Sequence, residues 1–271
     1  MEIIERIDEW RRHYGHWQQG RTRGSSRSEV GHDYPFVENT RAPFAPARRA
    51  LPMMNLALIS SAGAYINGTE SYDVNVVGGD TSFREIPREV EAEDLLYCTR
   101  GWDTSAVMQD RNAQVPIDRL AEFEGNGVIG QLNSVWWSFC GHIPDAARLT
   151  EEMLPKLTAR VKRYEVQAAL LVPASRLCHQ SIALVARGLE AEGIPTMMLG
   201  VEKDVVTLVR PPRCGYYNGE PGSVSGRPNW PEHQRRILDE ALRLLEPMDQ
   251  PGIRQLVVQL ESEVEKERGE K

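Results

Sequence analysis

Cysteine is scarce in this 271-residue chain, and Cys98, Cys140, Cys178 and Cys214 stand far apart with no Cys-x-x-Cys pair. That spacing excludes a secreted disulfide framework and a zinc knuckle, and it fits a reducing compartment. No stretch approaches ~18 uninterrupted apolar residues, so no membrane span is expected. The start, Met1-Glu2-Ile3-Ile4-Glu5-Arg6, lacks the apolar centre of a secretory signal, and a cytoplasmic location is expected. A basic excess is missing too. Lys and Arg number 32 against 39 Asp and Glu, a net charge of −7, which disfavours nucleic acid as the main partner. What is present, 41% hydrophobic and 26% charged side chains, is the mixture of a folded protein able to bury a full core.

Two regions differ in texture. Ile3, Ile4, Ile7 and Trp10 have helical spacing over residues 2–14, and residues 18–50 then run through Gly, Ser, Pro and Arg. Such a stretch predicts an irregular, locally basic arm, lying on the domain or partly mobile. From Asn55 the run Asn55-Leu56-Ala57-Leu58-Ile59-Ser60 reads as a buried strand, with weaker strands over 94–97 and 128–132 and a helix over 116–123. Residues 149–199 spell a β-α-β unit. A helix over about 149–164 leads to strand 168–172, a helix over about 177–192 ends at Gly193, and 194–199 forms the next strand. A further helix spans 231–246, and the charged tail from Glu261 to Lys271 reads as a frayed or surface helix. The expected fold is α/β, an open, mostly parallel sheet flanked by helices in the Rossmann or flavodoxin manner. Residues 1–54 form a helix and arm, and 55–271 form the body, open to division near residue 145.

In open sheets of this kind ligands sit outside the carboxyl ends of the strands. Cys178 falls there, in the first turn of a helix, where orphan N–H groups favour a thiolate; His179 could shuttle a proton and Ser175 has N-cap spacing. Cys178 also shares a helical stripe with Ile182, Val185 and Leu189, so a core position is an equal reading. Gly78-Gly79-Asp80-Thr81-Ser82-Phe83-Arg84 could shape a loop for a small polar ligand, with Arg84 clamping a carboxylate, or be a turn before a capped helix. Asp103, Asp110 and Asn112 form a polar cluster. Without paired histidines it is a poor metal site, and no metal is expected. Trp136 to His142 reads as core or pocket wall, and Ser60-Ser61 lacks the Gly-x-Ser-x-Gly elbow of a hydrolase.

Residues 55–246 resemble the selenoprotein B family of glycine, sarcosine, betaine and D-proline reductases, most closely its D-proline reductase-like branch. The resemblance is carried by Leu58-Ile59-Ser60-Ser61-Ala62-Gly63, Gly79 to Pro87, Trp102-Asp103-Thr104-Ser105 and Asp110 with Asn112. It continues through Pro116-Ile117-Asp118-Arg119-Leu120, Ser138 to Pro144, Leu171-Val172-Pro173 leading to Cys178-His179-Gln180, Pro211-Pro212-Arg213 and Gln234 to Leu238. It implies reductive cleavage of carbon–nitrogen bonds in small amino acids and amines. The family places selenocysteine or cysteine three positions before a cysteine, so that a chalcogen adduct at carbon can be resolved by the neighbouring thiol. Ser175 occupies the first of those positions here. A second departure is Cys98-Thr99-Arg100-Gly101-Trp102-Asp103, where the family tends to carry a histidine.

Together these features predict an enzyme acting on a small amino-acid- or amine-like substrate. Cys178, His179 and Ser175 would be its catalytic residues, and Ser61, Asp80, Ser82, Arg84, Asp103, Asp110 and Asn112 would bind substrate. The alternatives are a true reductase in which Cys98 or Cys140 becomes the redox partner of Cys178, and a non-catalytic or regulatory subunit. An electron-donor or partner subunit and a homo-oligomer are expected partners; the cofactor is undetermined.

Overall fold

The computed structural model describes residues 2–21, 33–98 and 100–258; Thr22 to Arg27 of the basic arm and the tail from Glu261 lie outside the described residues. Among the described residues ten strands occur in chain order: β1 (Asn55–Ser60), β2 (Ala64–Ile66), β3 (Phe83–Pro87), β4 (Leu95–Tyr97), β5 (Gln131–Leu132), β6 (Val135–Phe139), β7 (Ala168–Val172), β8 (Thr196–Gly200), β9 (Arg213–Tyr216) and β10 (Gly252–Gln255). The main sheet has the order β10-β9-β8-β7-β1-β6-β3, with β5 also beside β1. Every pairing in it is parallel except that of β3 with β6. β2 and β4 form a separate antiparallel pair. Strands from both sides of residue 145 thus share one sheet.

The central strands β7 and β8 are buried at every residue, as a parallel sheet covered on both faces requires. Adjacent residues point to opposite layers. Ile59, Trp137 and Leu171 pack with Leu157, Val161, Ile182, Val185 and Leu189, from the helices α5 (Leu154–Arg163) and α6 (Arg176–Ala191). Leu58, Trp136 and Leu170 pack on the other side with Leu120, Phe123, Ile237 and Leu238, from α3 (Ile117–Gly125) and α8 (Pro231–Arg243). Both tryptophans are therefore core. The remaining helices are α1 (Ile7–Arg21), α2 (Ser105–Gln109), α4 (Ala146–Arg148), joined to α5 by a π-helical turn, and α7 (Lys203–Val209).

The N-terminal helix starts later than its apolar spacing suggests and extends into the stretch expected to be irregular. Residues 3–6 turn, with Arg6 at φ 54°, before α1 begins. The segment 33–50 has no regular structure beyond a turn and lies on the body, tied by named bonds. Val37 N–H donates to Gln180 Oε1 (2.7 Å), Tyr34 Oη donates to the Pro144 carbonyl (2.8 Å), and Glu5 accepts from Thr40 and Arg41. Arg187, fully buried, donates to the carbonyls of Ile3, Arg41 and Arg210. Strand 128–132 contracts to β5, and the loop ending in Arg84 enters edge strand β3 rather than a helix.

Chain direction places the site. From β1 the path continues through α3 on one face of the sheet; from β7 it continues through α6 on the other. Adjacent strands whose connections diverge leave a crevice at their carboxyl ends. Ser61 follows β1 there, and Ser175 and Cys178 follow β7.

Candidate active site

Ser175 is the N-cap of α6, extended at φ −139° and ψ 176°, and its Oγ accepts from the Cys178 N–H at 3.2 Å. The same hydroxyl donates to Cys178 Sγ at 3.0 Å. Ser61 N–H pairs with the Val172 carbonyl (3.1 Å), while Ser61 Oγ accepts from Ala174 N–H (3.0 Å), closing the ends of β1 and β7 on one another. Gly141, just past β6, forms the third wall. A Cβ there would stand 2.4 Å from Ser61 Cβ and 2.8 Å from Cys178 Sγ. Ser181, one turn along α6, holds that wall by donating to the Gly141 carbonyl at 2.7 Å. Ile182, Val185 and Leu189 join the apolar core, whereas Cys178 is ringed by two hydroxyls and a glycine.

Burial opposes the ionisation that the helix position of Cys178 favours. A helix N-terminus contributes about 0.3–1 kcal/mol toward an anion, less than one pKa unit, whereas full burial shifts a group by up to ~3–5 units. Burial pushes the Cys178 thiol up, against the opposing hydrogen bonds from Ser175 and Ser61.

His179 is also buried, and both ring nitrogens are engaged. The Val201 N–H can only donate, so Nε2 accepts it at 3.0 Å; Nδ1 then carries the hydrogen and donates to the Ser175 carbonyl at 2.7 Å. Burial holds its pKa down to about 4. A neutral imidazole with no spare nitrogen is a latch from α6 to the end of β8, so the proton-shuttle expectation for His179 has no geometric support.

The other expected residues do not converge on Cys178. Asp80 accepts from the N–H groups of Asp73 and Ser82 (2.7 Å each), and Arg84 donates to Ser82 Oγ and to the carbonyls of Glu70, Ser71 and Phe83 while lying over the Tyr72 ring. That loop ties itself together, and its guanidinium has no fork left for a substrate carboxylate. Asp103 is exposed and accepts from Ser105. Asp110 accepts from Asn112, Asn229 and Gln234, and Asn112 bonds Asp118, a network joining α3 to α8. Among the described residues, no group of three His, Cys, Asp or Glu is arranged to hold a metal ion. A surface cavity of about 570 Å³, lined in part by Arg41, Thr207, Arg210 and Ile253, lies by the amino ends of β9 and β10, at the far end of the strands from Cys178.

Comparison with known proteins bears on this arrangement. The family model for glycine/sarcosine/betaine reductase selenoprotein B matches residues 27–174. The D-proline reductase subunit gamma of Acetoanaerobium sticklandii is 30% identical over 218 residues, 80% of this chain and 89% of that one. The chain belongs to the selenoprotein B family. Within that family, the glycine reductase complex component B subunit gamma of Symbiobacterium thermophilum is 26% identical over 61% of this chain and 39% of its own. The betaine reductase complex component B subunit beta of Peptoclostridium acidaminophilum is 27% identical over 78% of this chain and 50% of its own. The chain thus spans half or less of those two selenoprotein B relatives. No solved structure matches it. The family match ends at Ala174, one residue before Ser175. Gly141, quoted above only within a motif, and Ser181 shape the site without having been expected to.

Proposed function

We propose that this chain is a reductase-family subunit acting on a small amino-acid- or amine-like substrate, with Cys178 as the reacting sulfur in cleavage or formation of a C–N or C–S bond. The observation that carries the reading is the position of Cys178 Sγ at the divergence of β1 and β7, 3.0 Å from Ser175 Oγ and walled by Gly141. Named relatives are D-proline, glycine, sarcosine and betaine reductase subunits, which supports a substrate bearing an amine next to a carboxylate. In the cleavage direction the Cys178 sulfur bonds to carbon, the C–N bond breaks, and the thiol proton leaves with the amine. A second thiol then attacks the Cys178 sulfur; the carbon departs with a proton as C–H and a disulfide is left. Ser175 cannot supply that second sulfur, so this chemistry requires one from elsewhere. A docked electron-donor or partner subunit, and self-association, belong to the same proposal, since the relatives include subunits of multi-component complexes.

The test is protection of Cys178 from iodoacetamide in the folded protein, read by peptide mass. D-proline, sarcosine, glycine and betaine, each at millimolar concentration, are the probes. Slowed labelling of Cys178 by one of them, followed by amine release with a dithiol present and its loss in Cys178→Ala, supports the proposal. Labelling of Cys178 only after unfolding overturns it. One observation favours a second reading: Cys178 is 1% exposed and Ser175 stands in the place of a chalcogen. A non-catalytic partner subunit would keep the crevice shut, and Cys178→Ala would then leave the activity of the assembled complex intact.

A further inference from the structure

Cys98 and Cys140 lie 42 residues apart in sequence, yet their Sγ atoms approach to 2.7 Å. That is longer than the ~2.04 Å of a closed disulfide, but it is the approach of two sulfurs placed to bond. Their meeting is built by the backbone of one residue. The Cys98 N–H donates to the Gly63 carbonyl (2.8 Å), the Gly63 N–H donates to the Phe139 carbonyl (2.9 Å), and Ala62 bridges Cys140 in antiparallel register. Gly63 itself has φ +64°, and a Cβ on it would fall 2.6 Å from Cys98 Cβ and 3.4 Å from Cys140 Cα. A side chain at this position would wedge the two cysteines apart, and the positive φ disfavours one in any case. Both thiols are buried against Tyr72 and Tyr65.

We propose that Cys98 and Cys140 form a reversible dithiol–disulfide couple, a two-electron store beside the Cys178 crevice and a redox site in its own right. This differs from the expectation that one of them pairs with Cys178: they pair with each other. Cys98 is the attacking sulfur. The Cys140 thiol beside it and the backbone N–H and charge of Arg100 draw its pKa down, while the same contact and burial push that of Cys140 up. With a small-molecule disulfide as oxidant, the Cys98 thiolate bonds one sulfur of the reagent and expels the other as a thiolate. Cys140 then attacks the Cys98 sulfur, loses its proton and expels the second thiolate. Two protein thiols and one disulfide become one protein disulfide and two small thiols. A dithiol donor runs the exchange backwards and reloads the pair. The reduced couple holds the two electrons and two protons that reductive C–N cleavage consumes. That Cys140 adjoins Gly141, the wall against Cys178 Sγ, puts the store next to the crevice. Delivery of electrons to Cys178 rests on the function proposed above; the couple itself does not.

The experiment is a redox titration of the full chain in reduced and oxidised glutathione, quenched with acid, alkylated after unfolding and mapped by peptide mass. The expected result is a single two-electron transition to a Cys98–Cys140 linked peptide, lighter by two hydrogens. It should be retained in Cys178→Ser, replaced by a glutathione adduct on Cys98 in Cys140→Ser, and lost without an adduct in Cys98→Ser. Wild-type protein that yields no such peptide at any glutathione ratio, or links either cysteine to Cys178 instead, overturns the proposal. Because wild type and Cys178→Ser both report on the couple, its failure is distinguishable from failure of the Cys178 chemistry.

Discussion

Glu190 and Arg213 form a completely buried ion pair, Nη1 to Oε1 at 2.6 Å, that fastens the N-terminal arm to the sheet. Arg213 also donates to the Ala45 carbonyl (2.8 Å) and lies 3.9 Å over the Phe44 ring, while Glu190 accepts from the N–H groups of Ala45 and Thr196. Removing one partner of such a pair strands the other charge, at a cost of about 3–5 kcal/mol, whereas replacing both with apolar groups is often near neutral. Arg213→Met should therefore lower the urea midpoint sharply, and Arg213→Met with Glu190→Leu should recover much of the loss. A double variant no more stable than the single one would show that the arm contacts, not the charges, carry the stability.

The 3.0 Å between Ser175 Oγ and Cys178 Sγ leads to a gain-of-function test. Ser175→Cys restores a chalcogen at the place where the resemblance puts one, and the two sulfurs would sit within reach of a bond. In mild oxidant the variant should form a reversible disulfide between the introduced thiol and Cys178, seen as protection of both from alkylation. Loss of the serine cap should cost about 1 kcal/mol of stability. Failure to form the bond would mean that α6 holds its first turn too rigidly for dichalcogenide chemistry.

Gly141→Ala tests the crevice wall. Its Cβ would have to displace Ser61 and Cys178, and overpacking of this kind typically costs about 1–3 kcal/mol. The melting temperature should fall, and Cys178 should become more reactive toward iodoacetamide as the serines are pushed off it. Unchanged reactivity would place the strain elsewhere.

How much of this was legible follows the physics of each signal. The buried parallel strands and α6 announce themselves through long apolar runs, a glycine stop and an N-cap serine, so β1, β7, β8 and the Ser175–Cys178 turn were readable. β9 and β10 are four-residue strands with Arg, Gly and Gln in them, and β3 gains its place by pairing with β6, so local pattern could not reveal them. The polar residues Asp80, Arg84, Asp103 and Asp110 looked like ligands because sequence shows residue type and not which backbone N–H each carboxylate already serves. The meeting of Cys98 with Cys140 depends on Gly63 and a tertiary register, which no spacing encodes.

His179 provides the pH test. Its folded pKa, about 4, lies below the 6.5 of an unfolded histidine, so between these values the unfolded state binds more protons and stability rises with pH. The neutral ring's full contribution is present above pH 6.5 and is lost as pH falls toward 4. That depression of the pKa corresponds to roughly 3 kcal/mol. In His179→Gln, a neutral side chain at every pH, that slope should vanish while the carboxylates titrate as before. At pH 7 the variant should be the less stable, because one residue cannot satisfy both Val201 N–H and the Ser175 carbonyl in the same geometry. The difference between the two proteins in urea unfolding should shrink steadily from pH 7 to pH 4. A difference independent of pH would show that the imidazole takes up a proton in place, and that the latch between α6 and β8 opens to water.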